Sequence, residues 1–307
     1  ERRRLTGASR EISPPSAAPP RSGRISMDAL AEKHERLKRI IASYGSLLVA
    51  YSGGVDSTLL VAVAAEVLGR RLLAVTADSP TFPARERREA RVLARRLGIR
   101  HRVIASRELD DPRFARNPPD RCYWCKRELL GALRSMAARE RIAAVAVGSQ
   151  IDDLGDYRPG ERAVREMRAA SPLREAGFSK RDVRALSRRL GLPGSGREAA
   201  ACLASRIPYG RGIDGAVLRR VERAEGLLRK RGFSSVRVRA DGGVARIEVA
   251  PGEVGRLFSR GTREGIGRGL RRLGFHTVSA DLDGYRMGSL NAALARGRKT
   301  GGKDGGR

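Results

Sequence analysis

Four short apolar runs, separated by helix-like segments, constrain the fold of this chain more than any other feature. The runs are SLLVAY, RLLAVTA, IRHRVIA and IAAVAVG, and the segments between them carry apolar residues at helical spacing. Continuous apolar runs of this length, bounded by turn residues, are typical of buried strands. Strands that alternate with helices form parallel sheets covered by helices on both faces. The sequence therefore predicts an α/β fold with a doubly wound parallel sheet over residues 27–205.

The pattern changes after about residue 206, where we expect a second, smaller domain. A helix-like segment is followed by SSVRVRA and VARIEVA, which alternate with period two around an Asp-Gly-Gly turn, then by another helix and the run HTVSADL. This order predicts a small α+β domain with an antiparallel sheet over residues 206–291. Residues 1–26 and 292–307 have the polar composition of a disordered leader and a disordered tail.

The 63 basic residues give a formal net charge of +29, which would suit a polyanionic partner such as RNA or DNA. Only seven of them are Lys, however, and the Arg residues are spread evenly through the helices. A bias towards GC-rich codons produces the same pattern, so we do not expect a nucleic-acid partner. The first residues lack the apolar region of a secretory signal, and no apolar run is long enough to span a membrane. These observations predict a cytoplasmic protein without a membrane partner.

The segment SGGVDS, residues 52–57, lies between the first predicted strand and the following helix. Ligands of open parallel sheets bind beyond the carboxyl ends of the strands. Glycines let backbone N–H groups approach a ligand, a helix N-terminus favours anions, and the two Ser residues add hydroxyl donors. The segment matches neither GxxxxGK[ST] nor GxGxxG. We expect a phosphate-binding loop, although an ordinary glycine turn capped by Ser57 is the alternative. The expected contacts are Ser52, Gly53, Gly54, Asp56 and Ser57.

SGGVDS resembles the pyrophosphate loop of the N-type ATP pyrophosphatases, and the resemblance covers roughly residues 45–160. It implies that the loop binds ATP, which these enzymes cleave between the α- and β-phosphates to adenylylate an oxygen of the substrate. It also implies that Asp78 and Ser79, at the end of the second strand, contact the nucleotide. Asp153 leaves the fourth strand, where a carboxylate could hold Mg²⁺ against the phosphates. For both positions, simple capping of a turn is the alternative.

The chain has three cysteines: Cys122 and Cys125 form a Cys-x-x-Cys pair ahead of a helix predicted from about Lys126, and Cys202 lies far downstream. An odd number of cysteines without an export signal argues against a disulfide framework. Three thiolates leave a tetrahedral zinc one ligand short. An iron–sulfur cube held by three cysteines instead leaves one iron open, and an open iron can carry an extra sulfide. Buried thiols without a common function are the alternative.

The strings RCYWCKRELL, DDLGDYRPG, CLASRIPYG, ARIEV and DLDGYRMGSLN follow SGGVDS in this order and resemble the LarE family. That family comprises the ATP-dependent sulfur transferases that make the nickel-pincer nucleotide cofactor of lactate racemase, and the similarity runs from about residue 30 to 291. It implies adenylylation of the carboxylates of pyridinium-3,5-biscarboxylic acid mononucleotide and their conversion to thiocarboxylates. It also implies a homo-oligomer, often a hexamer.

One branch of the family sacrifices the sulfur of a single cysteine, whereas the other has three cysteines that hold a 4Fe–4S cluster with a transferable sulfide. The three-cysteine pattern of this chain resembles the second branch, with Cys202 common to both branches. Arg206 and Ser205, close to Cys202, are expected to hold an anionic group of the substrate. The remaining expected site residues are Lys126, against phosphate charge, and Glu225, Arg237 and Glu248, near the substrate phosphate or a subunit interface, where surface ion pairs are the alternative.

Three other functions stay open at this point. A tRNA-thiolating enzyme with the same loop would also use ATP and cysteines, and it would explain the basic charge. A basic nucleic-acid-binding protein that merely retains the fold would not need an intact SGGVDS loop. A ligase that uses ammonia would give the cysteines no role. The CLASRIPYG and DLDGYR strings favour the enzyme that acts on a small nucleotide.

Overall fold

The computed structural model describes residues 26–154, 159–196 and 201–286. Nearly all of the expected leader, and all of the expected tail, therefore lie outside the described residues. The first sheet has four parallel strands in the order β3-β2-β1-β4, which confirms the predicted α/β class. Its strands are β1 Leu47–Ala50, β2 Leu72–Asp78, β3 His101–Ala105 and β4 Ala144–Ala146.

Helices cover both faces of this sheet because successive side chains of each strand point to opposite faces. In β1, Leu47 and Val49 pack into one core with helices α1, α2 and α8, whereas Leu48 packs into another with α5 and α6. The helices of this region are α1 Met27–Ser43, α2 Val55–Leu68, α3 Ala84–Arg96, α4 Pro112–Ala115, α5 Arg121–Arg139, α6 Pro159–Glu166, α7 Pro172–Glu175 and α8 Lys180–Arg189.

A second sheet of three strands, in the order β5-β6-β7, lies in the last third of the chain. β5 and β6 form the antiparallel hairpin expected around the Asp-Gly-Gly turn, but β7 runs parallel to β6. The expectation of a fully antiparallel sheet is wrong, because two helices stand between β6 and β7 and return the chain to the end where β6 began. The elements are α9 Gly215–Lys230, β5 Arg237–Asp241, β6 Val244–Glu248, α10 Val254–Leu257, α11 Arg260–Arg272 and β7 Thr277–Ala280.

The core beneath the second sheet also takes in residues from the first predicted domain. Phe114 of α4 and Leu203 are buried in it, and Trp124, Cys125 and Cys202 pack against it. The predicted boundary between residues 205 and 206 stays a prediction, since the second core receives side chains from both sides of it. None of the helices in the described ranges has the length and apolar character needed to cross a membrane.

Candidate functional site

The segment SGGVDS lies where the sequence predicts, beyond the carboxyl end of β1 and against the first turn of α2. Gly53 has a φ of +77°, in the left-handed region, and a Cβ at this position would lie 2.9 Å from Cβ of Ala90 in α3. On the other side, a Cβ on Gly148, which follows β4, would lie 2.9 Å from the backbone N of Ser57. The loop is therefore held closely between α3 and the exit of β4, and two glycines make that approach possible.

Hydroxyl groups fix the shape of this loop from within. The Oγ of Ser57 donates to the carbonyl of Gly54 at 3.1 Å and lies 3.1 Å from the Oγ of Ser52. The backbone N–H of Gly54 donates to the Oγ of Ser52 at 3.3 Å. Gly54 is also the N-cap of α2, which has no side-chain cap. Uncapped N–H groups at the start of a 14-residue helix form a ready site for an anion.

An ion pair that the sequence did not reveal closes one side of the loop. The Nζ of Lys180, the first residue of α8, lies 2.5 Å from Oδ2 of Asp56. The other oxygen of that carboxylate, Oδ1 of Asp56, is buried without a hydrogen-bond partner among the described residues. The backbone N–H of Lys180 donates to Oδ2 of Asp152 at 2.8 Å. The ends of β1 and β4 and the start of α8 thus meet at one edge of the sheet.

Asp153, the predicted Mg²⁺ ligand, is buried in a 3-10 turn that follows β4. Its Oδ2 accepts from the backbone N–H of Gln150 at 3.0 Å, and its Oδ1 lies 3.3 Å from Nε2 of Gln150. Both carboxylate oxygens therefore cap the local turn, as expected if Asp153 only caps a turn and does not bind Mg²⁺. Its role towards Mg²⁺ stays a prediction.

The two residues predicted to contact the nucleotide at the end of β2 are both engaged with protein groups. Asp78 pairs with Arg87 of α3. Ser79 is buried and donates to the carboxylate of Glu108, which is itself 1% exposed. The Oγ1 of Thr81 donates to the same carboxylate at 3.1 Å. A buried carboxylate satisfied by hydroxyl groups thus lies beside the sheet edge, and no sequence pattern pointed to Glu108.

The Cys-x-x-Cys pair lies inside a helix and not ahead of one. α5 begins at Arg121, so that Cys122 and Cys125 occupy its first turns, three residues apart and on one face. The prediction of a helix from Lys126 is wrong by five residues. The segment Pro118-Pro119-Asp120, which precedes Arg121, is a typical helix start that could have corrected it.

The three thiols lie close enough for their charges to affect the pKa of Cys125 and of Cys202. Burial raises the pKa of Cys125 well above its usual value, and the nearby Cys202 and Glu108 raise it further, while Lys126 opposes the rise. Burial also raises the pKa of Cys202, with Cys122 adding to the effect. All three cysteines are free of disulfide bonds. As they stand, no three His, Cys, Asp or Glu side chains in the described ranges are grouped so that they could hold a metal ion.

Arg206 is an anchor for the Cys202 segment. It is 2% exposed, and its Nε donates to Oε1 of Glu225 in α9 at 2.7 Å. Its Nη1 donates to the carbonyl of Cys202 at 3.1 Å and to Oγ of Ser205 at 2.9 Å. The guanidinium fork expected to face a substrate is thus occupied by Glu225, and its expected role towards a substrate stays a prediction.

The other predicted residues of the second domain differ in how they are paired. Glu248 is buried and receives two hydrogen bonds from Arg239, at 2.8 and 2.7 Å. Arg237 is 7% exposed, and within the part of the chain described here no carboxylate forms an ion pair with it. Its guanidinium carbon lies 4.5 Å above the ring of Tyr285. Burial, followed by the charge of Arg206, lowers the pKa of Arg237.

One backbone contact joins the thiols to the sheet edge. The N–H of Leu203 donates to the carbonyl of Thr81 at 2.8 Å, and the side chain of Thr81 reaches the thiol of Cys202. Thr81 follows β2, the neighbour of β1 in the sheet. Cys202 therefore lies beside the strand end next to the one that carries the SGGVDS loop.

Comparison with known proteins identifies similar chains along nearly the whole sequence. A family model described as asparagine synthase matches residues 35–118, which include β1, the loop and α2. An uncharacterized protein of Synechocystis is 40% identical over 267 residues, which cover 87% of this chain and all of that protein. The pyridinium-3,5-bisthiocarboxylic acid mononucleotide synthase of Lactiplantibacillus plantarum is 38% identical over 271 residues, 88% of this chain and 98% of the synthase. An uncharacterized protein of Methanocaldococcus jannaschii is 28% identical over 240 residues, 78% of this chain and 90% of that protein.

Proposed function

The chain belongs to the family of the Lactiplantibacillus synthase, and from that premise we propose that it is an ATP-dependent sulfurtransferase acting on pyridinium-3,5-biscarboxylic acid mononucleotide. The observation that carries the proposal is the hydrogen bond from Leu203 to Thr81, which fastens the Cys202 segment to the end of β2, the neighbour of the strand that bears the SGGVDS loop. A group activated at the loop therefore forms close to the thiols.

The first step is activation of a carboxylate. A carboxylate resists substitution because its leaving group would be oxide. One of its oxygens attacks the α-phosphorus of ATP, the bond between the α- and β-phosphates breaks, and pyrophosphate leaves with the electron pair. The uncapped start of α2 and the hydroxyls of Ser52 and Ser57 are suited to hold those phosphates.

We place Mg²⁺ beside Asp56 in preference to Asp153. The Oδ1 of Asp56 is a buried oxygen without a partner, whereas both oxygens of Asp153 accept hydrogen bonds from Gln150. Mg²⁺ is commonly held by one or two carboxylates together with substrate phosphates, so it does not need a preformed group of three protein ligands. When bound, Mg²⁺ would neutralise charge that develops on the pyrophosphate.

The second step replaces the activated oxygen by sulfur. Sulfide, as HS⁻, attacks the carbonyl carbon of the acyl adenylate, the bond from that carbon to the AMP oxygen breaks, and AMP leaves with the electron pair. The proton of the sulfide is released to solvent. The product is a thiocarboxylate. Because the Cys202 segment is fastened to the end of β2, next to the strand that bears the loop, the sulfur and the adenylate react as neighbours, which raises the effective concentration.

We further propose that Cys122, Cys125 and Cys202 together hold a 4Fe–4S cluster. Three cysteine thiols are the type of ligand that such a cluster needs. They lie in one region of the molecule, because the charges of Cys122 and Cys202 raise the pKa of Cys125 and that of Cys122 raises the pKa of Cys202. Their present arrangement does not form a metal site within the described residues, so binding requires the side chains to turn towards one another. A cluster with three protein ligands has one open iron, which could carry the sulfide to be transferred.

Arg237 is the residue best suited to the phosphate of the mononucleotide. Arg206 and Arg239 each form an ion pair with a carboxylate, whereas Arg237 is a buried guanidinium that forms none among the described residues, although the charge of Glu225 reaches it. An anionic ligand would remove the cost of that unpaired charge. We also propose, from the family resemblance, that the protein works in the cytoplasm as a homo-oligomer.

Protein purified without oxygen tests the proposal when it is incubated with ATP and the mononucleotide. We expect AMP and pyrophosphate to form only when the mononucleotide is present, and mass spectrometry to detect the thiocarboxylate. Iron and acid-labile sulfide analysis tests the cluster, and Cys202→Ala should abolish both the cluster and sulfur transfer. AMP formation with tRNA and not with the mononucleotide would favour the tRNA-thiolating alternative instead.

A further inference from the structure

Arg121, the first residue of α5, is a second buried guanidinium that forms no ion pair within the described residues. Arg121 is 4% exposed, and its Nη1 is buried with no hydrogen-bond partner among the described residues. Across the described ranges, no carboxylate forms an ion pair with it. Burying a cation unpaired is costly, and each such group in a folded protein calls for a specific explanation.

Neighbouring segments hold this guanidinium in a fixed position. Asn117, just ahead of α5, donates from Nδ2 to the carbonyl of Pro208 at 2.8 Å and accepts from the N–H of Gly210 at 2.9 Å. These bonds clamp the start of α5 to the turn that carries Tyr209. The guanidinium carbon of Arg121 lies 4.6 Å from the centre of the Tyr209 ring. A flat cation stacked on an aromatic ring keeps its N–H edge free for a ligand.

The same segments bring Arg121 near the site of sulfur transfer. It precedes Cys122 directly, and the turn with Tyr209 follows Cys202 by a few residues. The positive charge of Arg121 reaches the thiol of Cys202, where it opposes the effect of burial on the pKa. An anion bound to Arg121 would therefore lie beside the group that carries the sulfur.

We propose that Arg121, backed by Tyr209, binds the carboxylate of the mononucleotide that is not being activated. This inference rests on the proposed function, in which the substrate carries carboxylates at positions 3 and 5 of one ring. In each round one of them is converted to an acyl adenylate, whose remaining negative charge is on the AMP phosphate, while the other stays a carboxylate and needs a cation of its own. The guanidinium fork accepts a carboxylate through two parallel hydrogen bonds.

The other cations of the region have partners or are assigned to other groups. Lys180 pairs with Asp56, and Arg206 pairs with Glu225. Arg237 is assigned to the substrate phosphate, and Lys126, whose charge reaches the thiol of Cys125, is the cation expected to act against phosphate charge. This leaves Arg121 for the second carboxylate. A half-turn of the ring about the axis through N1 and C4 exchanges positions 3 and 5. After the first conversion, the new thiocarboxylate, also an anion, takes the place at Arg121 while the remaining carboxylate is activated.

The test compares Arg121→Gln and Arg121→Lys with wild-type protein. We expect Arg121→Gln to raise the Kd of pyridinium-3,5-biscarboxylic acid mononucleotide, measured by calorimetry, by roughly tenfold or more, since hydrogen bonds to a charged group are lost. The KM for ATP should not change. The Kd of Arg121→Lys for the dicarboxylate should lie between those of the wild type and Arg121→Gln, because lysine keeps the charge but cannot form two parallel hydrogen bonds. Arg220→Gln is the matched control, as its guanidinium lies at the same 4.6 Å from the ring of Phe275 in the second domain.

Competition with nicotinamide mononucleotide, which has the phosphate but no carboxylate, distinguishes the group that is bound. We expect Arg121→Gln to leave its affinity unchanged, and an equal loss for both mononucleotides would assign Arg121 to the phosphate and overturn the inference. Equal losses of mononucleotide binding, ATP use and thermal stability would assign Arg121 a structural role. Unchanged binding of the dicarboxylate also refutes the inference, whereas a wild-type protein that binds no dicarboxylate refutes the proposed function itself.

Discussion

At the scale of single residues, Lys180 neutralises the negative charge of the SGGVDS loop by pairing with Asp56. SGGVDS contains one carboxylate, Asp56, and an unpaired carboxylate would repel the phosphates of ATP. Lys180 neutralises it at 2.5 Å, and both side chains are 26% exposed. A partly exposed pair of this kind adds little to stability. Under the proposed function, the importance of the pair is for ATP binding: Lys180 would turn from Asp56 to a phosphate when Mg²⁺ takes the carboxylate.

We therefore expect Lys180→Ala to raise the KM for ATP by about tenfold or more, as hydrogen bonds to a charged group are lost, with the melting temperature nearly unchanged. The measurement is pyrophosphate release at varied ATP concentration. Lys33→Ala is the control, since Lys33 pairs with Asp182 of the same helix at 2.6 Å and does not touch the loop. If the two variants bind ATP equally well, Lys180 serves only to position α8.

The residue scale is also where prediction from sequence was least complete. The loop glycines and hydroxyls were found because their types and order are distinctive. Lys180 could not be found, since no local pattern says which edge of the sheet the start of α8 faces. Arg206 was identified as important, but sequence could not show that its fork is occupied by Glu225. Side-chain pairing depends on contacts between segments that are distant in the chain.

At the scale of elements, the turn from β1 into α2 depends on glycines, because these residues have no Cβ. Gly53 combines a left-handed φ of +77° with a 2.9 Å approach of any Cβ to Ala90. An alanine there meets both problems at once. The first costs about 1–2 kcal/mol for an L-residue, and the second forces α3 or the loop to move.

We predict that Gly53→Ala lowers the free energy of unfolding by about 2–5 kcal/mol, since backbone strain and overpacking add, and that it also weakens ATP binding. Chemical denaturation and the KM for ATP measure the two effects. The matched control is Gly131→Ala in the middle of α5, where a Cβ meets nothing within 4 Å. That change should raise stability by up to about 1 kcal/mol, because alanine is the better helix former. Equal behaviour of both variants would show that the loop adapts freely.

Sequence patterns were most informative for elements. All four strands of the first sheet and the hairpin of the second were predicted, because buried strands are continuous apolar runs and half-buried strands alternate. The direction of β7 was missed, since alternation along a strand carries no information on how it runs relative to its neighbour. That direction follows from the helices between β6 and β7, which were visible in the sequence but were not used.

At the scale of the whole molecule, a buried ion pair joins the Cys202 segment to the second domain. Burial alone would raise the pKa of Glu225, but the charges of Arg206 and Arg229 lower it below its usual value of 4.5. A carboxyl whose pKa is lowered in the folded state stabilises that state above the unfolded pKa. The contribution is lost as the pH falls through the folded value.

We expect the free energy of unfolding of the wild-type protein to fall as the pH drops below about 4.5, the ordinary value for Glu. Glu225→Gln should be less stable at pH 7 by about 3–5 kcal/mol, because it leaves buried arginine charge uncompensated, and should lose this part of the pH dependence. Glu264→Gln is the control: its ion pairs with Arg260 and Arg268 are at the surface of α11. If Glu264→Gln changed the pH dependence of the free energy of unfolding by the same amount, that dependence would come from the overall charge of the protein and not from Glu225.

The helix α5 belongs to both cores. Leu130 and Leu133 pack beneath the first sheet, while Trp124 and Cys125 at its start pack beneath the second. A fragment that ended before α9 would retain the SGGVDS loop but would lack most of the core against which Cys125 and Cys202 pack, so both thiols would be open to solvent and to oxidants. Under the proposed function, the half that binds ATP therefore cannot be transplanted alone, because it would lose the apolar surroundings of the thiols.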